Sequence, residues 1–240
     1  GSLADLGHWQ WVFWPMAFLS AASCYFIWRY LPVSVRFTPQ PFRLRLALQN
    51  HAFHLCQPTL LLTYLIGGLN FLVFLNQYTF ISFVLAAPPY LLSSSLLGLL
   101  FITYFSGTVG SAFSAKIARR LSPPLAMALG ILLMMLGTVV TLHSALWLIV
   151  SGFFISAFGF FLCHSLASSW VNQHAQRARA SASALYLVFY YVGASVGSLY
   201  LQPFWQWQGW TGVIIASLAM YSLTLALTLS LWYRSHSHSP

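Results

Sequence analysis

Acid is almost missing from this sequence. Asp5 is the only carboxylate side chain in 240 residues, against ten Lys and Arg, for a formal charge of +9. Charged residues make up 5% of the chain and hydrophobic ones 59%. A soluble domain carries about 25% charge, so a water-facing globule is excluded and the expected solvent is lipid. The bases are few and dispersed between apolar runs, whereas a nucleic-acid binder presents them on a polar surface. No nucleic-acid partner is expected. Cysteine is scarce too: Cys24, Cys56 and Cys163 stand apart with no C-x-x-C pair. Neither a disulfide framework nor a zinc site fits that spacing, and all three read as small apolar side chains. His51 and His54 are three apart but have no acid or Cys beside them, so no metal is expected. Acid–base or metal chemistry needs clustered Asp, Glu, His or Cys. None is present, which argues against an enzyme, and no cofactor is expected. The single Lys, Lys116, falls between apolar runs, so a retinal protein with a helix lysine is excluded as well.

What the sequence does have is long apolar runs. A helix crosses the hydrocarbon core with about 20 apolar residues. Seven such runs can be read, at Trp9–Leu31, Leu55–Asn76, Leu91–Ala115, Pro124–His143, Leu146–Trp170, Ala182–Phe204 and Trp210–Tyr233. They are apolar on all sides, unlike barrel strands, which alternate every second residue. The expected fold is an all-α polytopic membrane protein with seven transmembrane helices. Short turns such as His143–Ala145 make neighbouring helices antiparallel.

The bases fall at alternate junctions. Arg29, Arg36, Arg43 and Arg45 lie at or after the end of the first run. Lys116, Arg119 and Arg120 follow the third, Arg177 and Arg179 the fifth, and Arg234 the seventh. The other junctions have no Lys or Arg and carry aromatics such as Trp205, Trp207 and Trp210. Basic loops stay in the cytoplasm and Trp anchors the interface. The N-terminus is therefore expected outside and the C-terminus inside.

Two stretches look alike. Gly1-Ser-Leu leads through a short aromatic turn to Trp9, and Gly197-Ser-Leu does the same to Trp210, 201 positions later. In the second copy Gly-Ser-Leu is the tail of a preceding helix, which implies the same of Gly1. The chain is accordingly expected to be a piece of a longer protein built from two parallel repeats, as many transporters are. An expression scar at residues 1–2 is the alternative. On the repeat reading the first run is helix six of twelve and the others are helices seven to twelve.

At these residues the chain resembles the C-terminal half of a major facilitator superfamily transporter. Pro89–Phe101 resembles the outer turn into helix eight. Gly107–Arg120 resembles the weaker copy of the family's cytoplasmic loop motif, with Gly107, Lys116, Arg119 and Arg120 at its positions. His164–Trp170, Arg177–Gly193 and Trp210–Val213 resemble the YnfM-type inner-membrane efflux transporters. The full loop motif contains an Asp, and Ser114–Ala118 has none. A charge relay there lacks its acid. The three bases are read as holding the loop inside, with a gating role left open. The resemblance implies residues 1–31 as helix six of the N-terminal half, 32–54 as a cytoplasmic linker, 55–233 as a six-helix bundle and 234–240 as a cytoplasmic tail. It implies a bacterial inner (plasma) membrane, a small-molecule substrate, the lipid bilayer and a missing N-terminal half as partners, and proton-coupled efflux as the activity.

Polar residues inside the runs should face a cavity or another helix. Asn70 lies near the middle of the second run, with Asn76 and Gln77 toward its outer end and Gly67 and Gly68 allowing close approach. Each amide reads equally as cavity lining or as an interhelical hydrogen bond. Tyr186, Tyr190, Gly193 and Gly197 are spaced four, three and four apart, on one helical face. The glycine pair reads as helix packing, and Tyr190 as either a packing ring or a substrate contact. His164, among Ser165, Ser168 and Ser169, is either a hydrogen-bonded structural group or a proton carrier. With no acid in any run, coupling acids are expected in the missing half. A seven-helix receptor, or a structural membrane protein without transport, is the alternative reading.

Overall fold

A computed structural model describes residues 10, 13–32 and 43–236. Apart from Gln10, the Gly1–Val12 half of the proposed repeat lies outside them, Asp5 and Trp9 included, as does Arg36. Among the described residues the regular structure is entirely helical. The elements are α1 (Phe13–Tyr30), α2 (Leu44–Leu55), α3 (Pro58–Ala86), α4 (Ser94–Leu99), a 3-10 turn (Leu100–Thr103), α5 (Tyr104–Leu121), α6 (Pro123–Val140), α7 (Leu146–His174) and α8 (Arg179–His236).

Five helical stretches are long and apolar enough to cross a membrane: Pro58–Ala86, Ser94–Leu121, Pro123–Val140, Leu146–His174 and Arg179–Ser235. The last holds the sixth and seventh apolar runs in one element, broken at Gln208 and Gly209, where Gly209 takes a φ of 54°. The two legs fold back on each other. Tyr200 Oη donates to the Ala216 carbonyl at 3.0 Å, and Leu201, Val213 and Ala216 share a small core with Phe80. The helix of the first run is α1, which has no buried residue and is not among those five stretches. Pro15, Trp14, Trp28 and Arg29 dilute its apolarity. The expected count of seven spans therefore stands at five apolar helices, one of them a hairpin.

Helix ends also differ from the apolar runs. The second run stops at Asn76, but α3 continues to Ala86. Its amides interrupt the hydropathy without interrupting the helix. The stretch 107–120, which resembles a cytoplasmic loop motif and whose first part lay in the expected third run, makes up most of α5. It contains no proline, and its Ala, Lys and Arg favour helix enough to carry Gly107 and Gly110. The chain turns at one residue, Ser122, with Pro123 opening α6. Proline fits that first helical position because its missing N–H has no helical partner there in any case.

Small residues set the packing. Gly130 of α6 meets Gly159 of α7, and Gly137 meets Gly152, an antiparallel pairing. A Cβ on Gly130 would lie 2.6 Å from the Gly159 carbonyl oxygen. On the α5–α7 contact Gly107 sits under the Phe161 ring, and Gly110 against the Phe158 carbonyl. These approaches bring backbones together where lipid supplies no hydrophobic drive for helices to associate.

The helix α2 packs on α3 and α8 at one end of the bundle. Arg177, in the α7–α8 connection, places Cζ 3.7 Å from the Phe53 ring centroid, a cation–π contact. His54 beside it is fully buried.

Candidate functional site

The sequence-predicted residues converge on the contact between α3, α7 and the first leg of α8. One face of α8 runs down α3 in register. The Tyr186 ring rests on Gly67, Gly193 meets the Gly68 carbonyl, and Gly197 meets Leu72 and Asn76. The four-three-four spacing thus marks the side of α8 that faces α3. Any side chain at Gly67 would collide with the Tyr186 ring, which explains why glycine is needed at that level.

Tyr186 Oη and His164 Nδ1 are 3.0 Å apart, between the middle of α7 and of the first leg of α8 and their ends at His174 and Arg179. The His164 ring lies 4.8 Å from that of Tyr190. Tyr190 stacks on Phe71 with centroids at 3.7 Å and an interplanar angle of 13°. Phe160 stacks on Phe74 at 4.0 Å and on His164 at 5.9 Å. Tyr186 is buried, whereas His164 and Tyr190 are half-buried and keep a free edge. Asn70 Nδ2 donates to Cys163 Sγ at 3.5 Å, and Asn70 Oδ1 has no partner among the described residues. Tyr64 Oη, half-stacked on Phe189, is also buried without one. Buried orphan groups of this kind cost about 1–3 kcal/mol each. The two unused atoms lie inside the bundle, and the half-buried edges of His164 and Tyr190 are what this aromatic wall presents, a surface chemically suited to a planar or lipophilic solute.

Asn76 and Gln77 are arranged differently. Asn76 Nδ2 donates to the Leu72 and Ala194 carbonyls, each at 2.9 Å, and Ser198 Oγ donates to its Oδ1. Gln77 Nε2 donates to Thr138 Oγ1 at 3.0 Å. Their polar groups tie α3 to α8 and to α6. Of the loop-motif residues, Gly107 is buried inside α5, while Lys116, Arg119 and Arg120 are exposed on its last turns. Lys116 Nζ lies 5.7 Å over the Phe113 ring.

Several contributors carried no usable signal in the sequence. Cys163 read as filler, and Phe71 and Phe160 were two of twenty phenylalanines. Gly130, Gly137, Gly152 and Gly159 repeat at seven, the period of a coiled seam, rather than at the four of a G-x-x-x-G pair. Among the described residues no group of three His, Cys, Asp or Glu could hold a metal.

Long apolar helices joined through glycine contacts and buried amides define a multi-pass helical membrane protein. The chain belongs to the Major Facilitator Superfamily, whose family description matches residues 1–198. It is 35% identical over 230 residues to an uncharacterized transporter of Buchnera aphidicola from Schizaphis graminum, covering 95% of this chain and 55% of that protein. It is 31% identical to the uncharacterized MFS-type transporter YybF of Bacillus subtilis, covering 96% of this chain and 56% of YybF. To the inner membrane transport protein YnfM of Escherichia coli it is 31% identical, covering 99% of this chain and 57% of YnfM. The chain thus spans a little over half the length of these relatives.

Proposed function

We propose that the chain forms the C-terminal half of a secondary active transporter in a bacterial inner membrane, exporting a small organic solute by alternating access in exchange for protons. The observation that carries this reading is the aromatic wall of His164 and Tyr190, half-buried over the buried Asn70 and Tyr186, part-way along apolar helices. Transporters of two repeats bind solute near the midplane, between the halves, and a wall of this kind needs a second half opposite it. The coverage of the relatives, a little over half, supports that missing half. No enzymatic step is assigned. Run one, with α1 in it, is read as the last helix of the N-terminal half, 32–54 as the linker, and 55–233 as the bundle, with the basic ends in the cytoplasm. The receptor alternative is not favoured, because the family and the transporter-named relatives support transport.

The wall has no acid, so a neutral, anionic or lipophilic solute suits it better than an organic cation. The test uses everted membrane vesicles holding the natural full-length protein, with a pH gradient followed by an acridine dye. A panel of neutral, anionic and lipophilic aromatic solutes is added. At least one should discharge part of the gradient, and Tyr190→Ala should weaken its apparent affinity about three- to tenfold. If no solute discharges the gradient faster than in vesicles without the protein, the reading fails.

A further inference from the structure

The aromatic wall leaves two polar atoms open. His164 Nε2 and Tyr190 Oη have no hydrogen-bond partner among the described residues. Both residues are half-buried, and neither atom is sealed inside the bundle as Asn70 Oδ1 and Tyr64 Oη are. The two rings lie 4.8 Å apart. His164 stands about 15 Å of helix inside the end of α7 at His174. At that depth hydrocarbon offers a ring nitrogen no partner, so an open one belongs on a face that meets water or solute.

Tyr186 decides which nitrogen carries the proton. It is 1% exposed, and the only partner of its Oη among the described residues is His164 Nδ1, at 3.0 Å. The phenol proton goes to Nδ1, because the opposite tautomer would seal that proton away from any acceptor. Nδ1 then accepts, and the neutral imidazole carries its own proton on Nε2. The open nitrogen is therefore a donor. The Tyr190 hydroxyl can donate beside it, from a ring held by stacking on Phe71 at 3.7 Å. Fixed charge is absent from this face. The described residues include no Asp or Glu, α3 and α7 contain no Lys or Arg, and α8 has them only near its ends, at Arg179 and Arg234. Two neutral donors over an aromatic surface match a carbonyl oxygen, whose two lone pairs take two hydrogen bonds without charge. A carboxylate or an amine would enter with nothing to offset its charge.

We infer that the solute is planar, neutral and carries a carbonyl oxygen, which accepts from His164 Nε2 and Tyr190 Oη while its ring lies along the wall. Tyr186 is a positioning residue that fixes the imidazole tautomer. The inference rests on the transporter reading for the wall's being a solute site, and it adds the class of solute.

The experiment measures binding rather than transport, by equilibrium dialysis of the natural full-length protein in detergent, with empty micelles as the blank. Three probes share one ring system: acetylnaphthalene, ethylnaphthalene and naphthoate. The ketone should bind about three- to tenfold more tightly than the ethyl compound, and more tightly than the anion. His164→Phe keeps a ring and should erase the ketone's advantage. His164→Gln, which carries an amide N–H near the place of Nε2, should keep most of it. Tyr186→Phe should reduce the advantage and leave ethylnaphthalene unchanged, whereas a merely structural role would move both probes together. Tyr190→Phe keeps the stack and removes the second donor. It should cut the advantage in part, and it carries the test if His164→Phe fails to fold. Equal binding, or no binding, of the ketone and the ethyl compound overturns the inference. So does tighter binding of naphthoate, or an advantage that survives both His164→Phe and Tyr190→Phe. The transport reading fails separately, on the pH gradient, so either can fall alone.

Discussion

Asn76 has every polar atom of its side chain occupied, by Leu72, Ala194 and Ser198. Asn76→Leu keeps the volume and removes all three bonds. It should destabilise the protein by about 1–3 kcal/mol, read as a lowered unfolding midpoint in detergent by tryptophan fluorescence. His54 gives a pH-dependent prediction. It is buried on α2, and burial, with Arg177 and His51 nearby, holds its pKa below the ordinary 6.5 against the opposing pull of the Ala178 backbone. When α2 is undocked the ring takes a proton near that ordinary value. When α2 is docked it resists protonation to lower pH. Docking is therefore complete above pH 6.5 and weakens as the pH falls below it. Amide hydrogen exchange across 44–55 should accelerate on that side, and His54→Leu should flatten the dependence. That Asn70 and Asn76 mattered was legible, because an amide in an apolar run must find a partner. Which partners they found was not. Ala194 and Ser198 lie 118 and 122 positions away from Asn76, and only the fold brings them near.

Elements show a similar division. Helix existence followed from apolar length, but helix ends did not follow from where apolarity fades. α3 runs ten residues past Asn76 because its amides are satisfied sideways, by Thr138 and Ser198, and the backbone ladder is untouched. The α6–α7 seam was missed because its glycines recur at seven. It makes a firm prediction nonetheless. A Cβ on Gly152 would sit 2.5 Å from the Gly137 carbonyl oxygen, which is backbone and cannot turn aside. Gly152→Ala should cost about 1–3 kcal/mol by overpacking, measured by the same unfolding assay. Ser122 gives the opposite sign. Its φ of 71° and ψ of 152° fall in a region that glycine alone occupies readily. Ser122→Gly should stabilise the turn between α5 and α6 by about 1 kcal/mol, provided Ser122 Oγ is not bound to a ligand.

At the scale of the molecule, the alternation of basic and aromatic junctions survives in three dimensions. α3 and the first leg of α8 run in parallel, as the Gly67–Tyr186 and Asn76–Ser198 pairs require. α5 and α7 do likewise, through Gly107–Phe161 and Ser165–Ser111. The antiparallel α6–α7 seam then puts Lys116, Arg119, Arg120, Arg177, Arg179 and Arg234 at one end with α2. At the other, Trp210 Nε1 donates to the Thr141 carbonyl at 3.2 Å and Trp205 packs on Phe80. Charge at alternate junctions could be read from order alone, because helices in a bilayer must alternate direction. Order alone does not place α1, and in the structure none of its residues is buried against the bundle.

The most direct test of a two-half transporter is the intact mass of the natural protein, read together with its message. Roughly 170 further residues upstream of Gly1, carrying five more apolar runs, are predicted. A natural protein that starts at or just before Gly1 would contradict it, because the aromatic wall of α3, α7 and α8 would then have no second half to face.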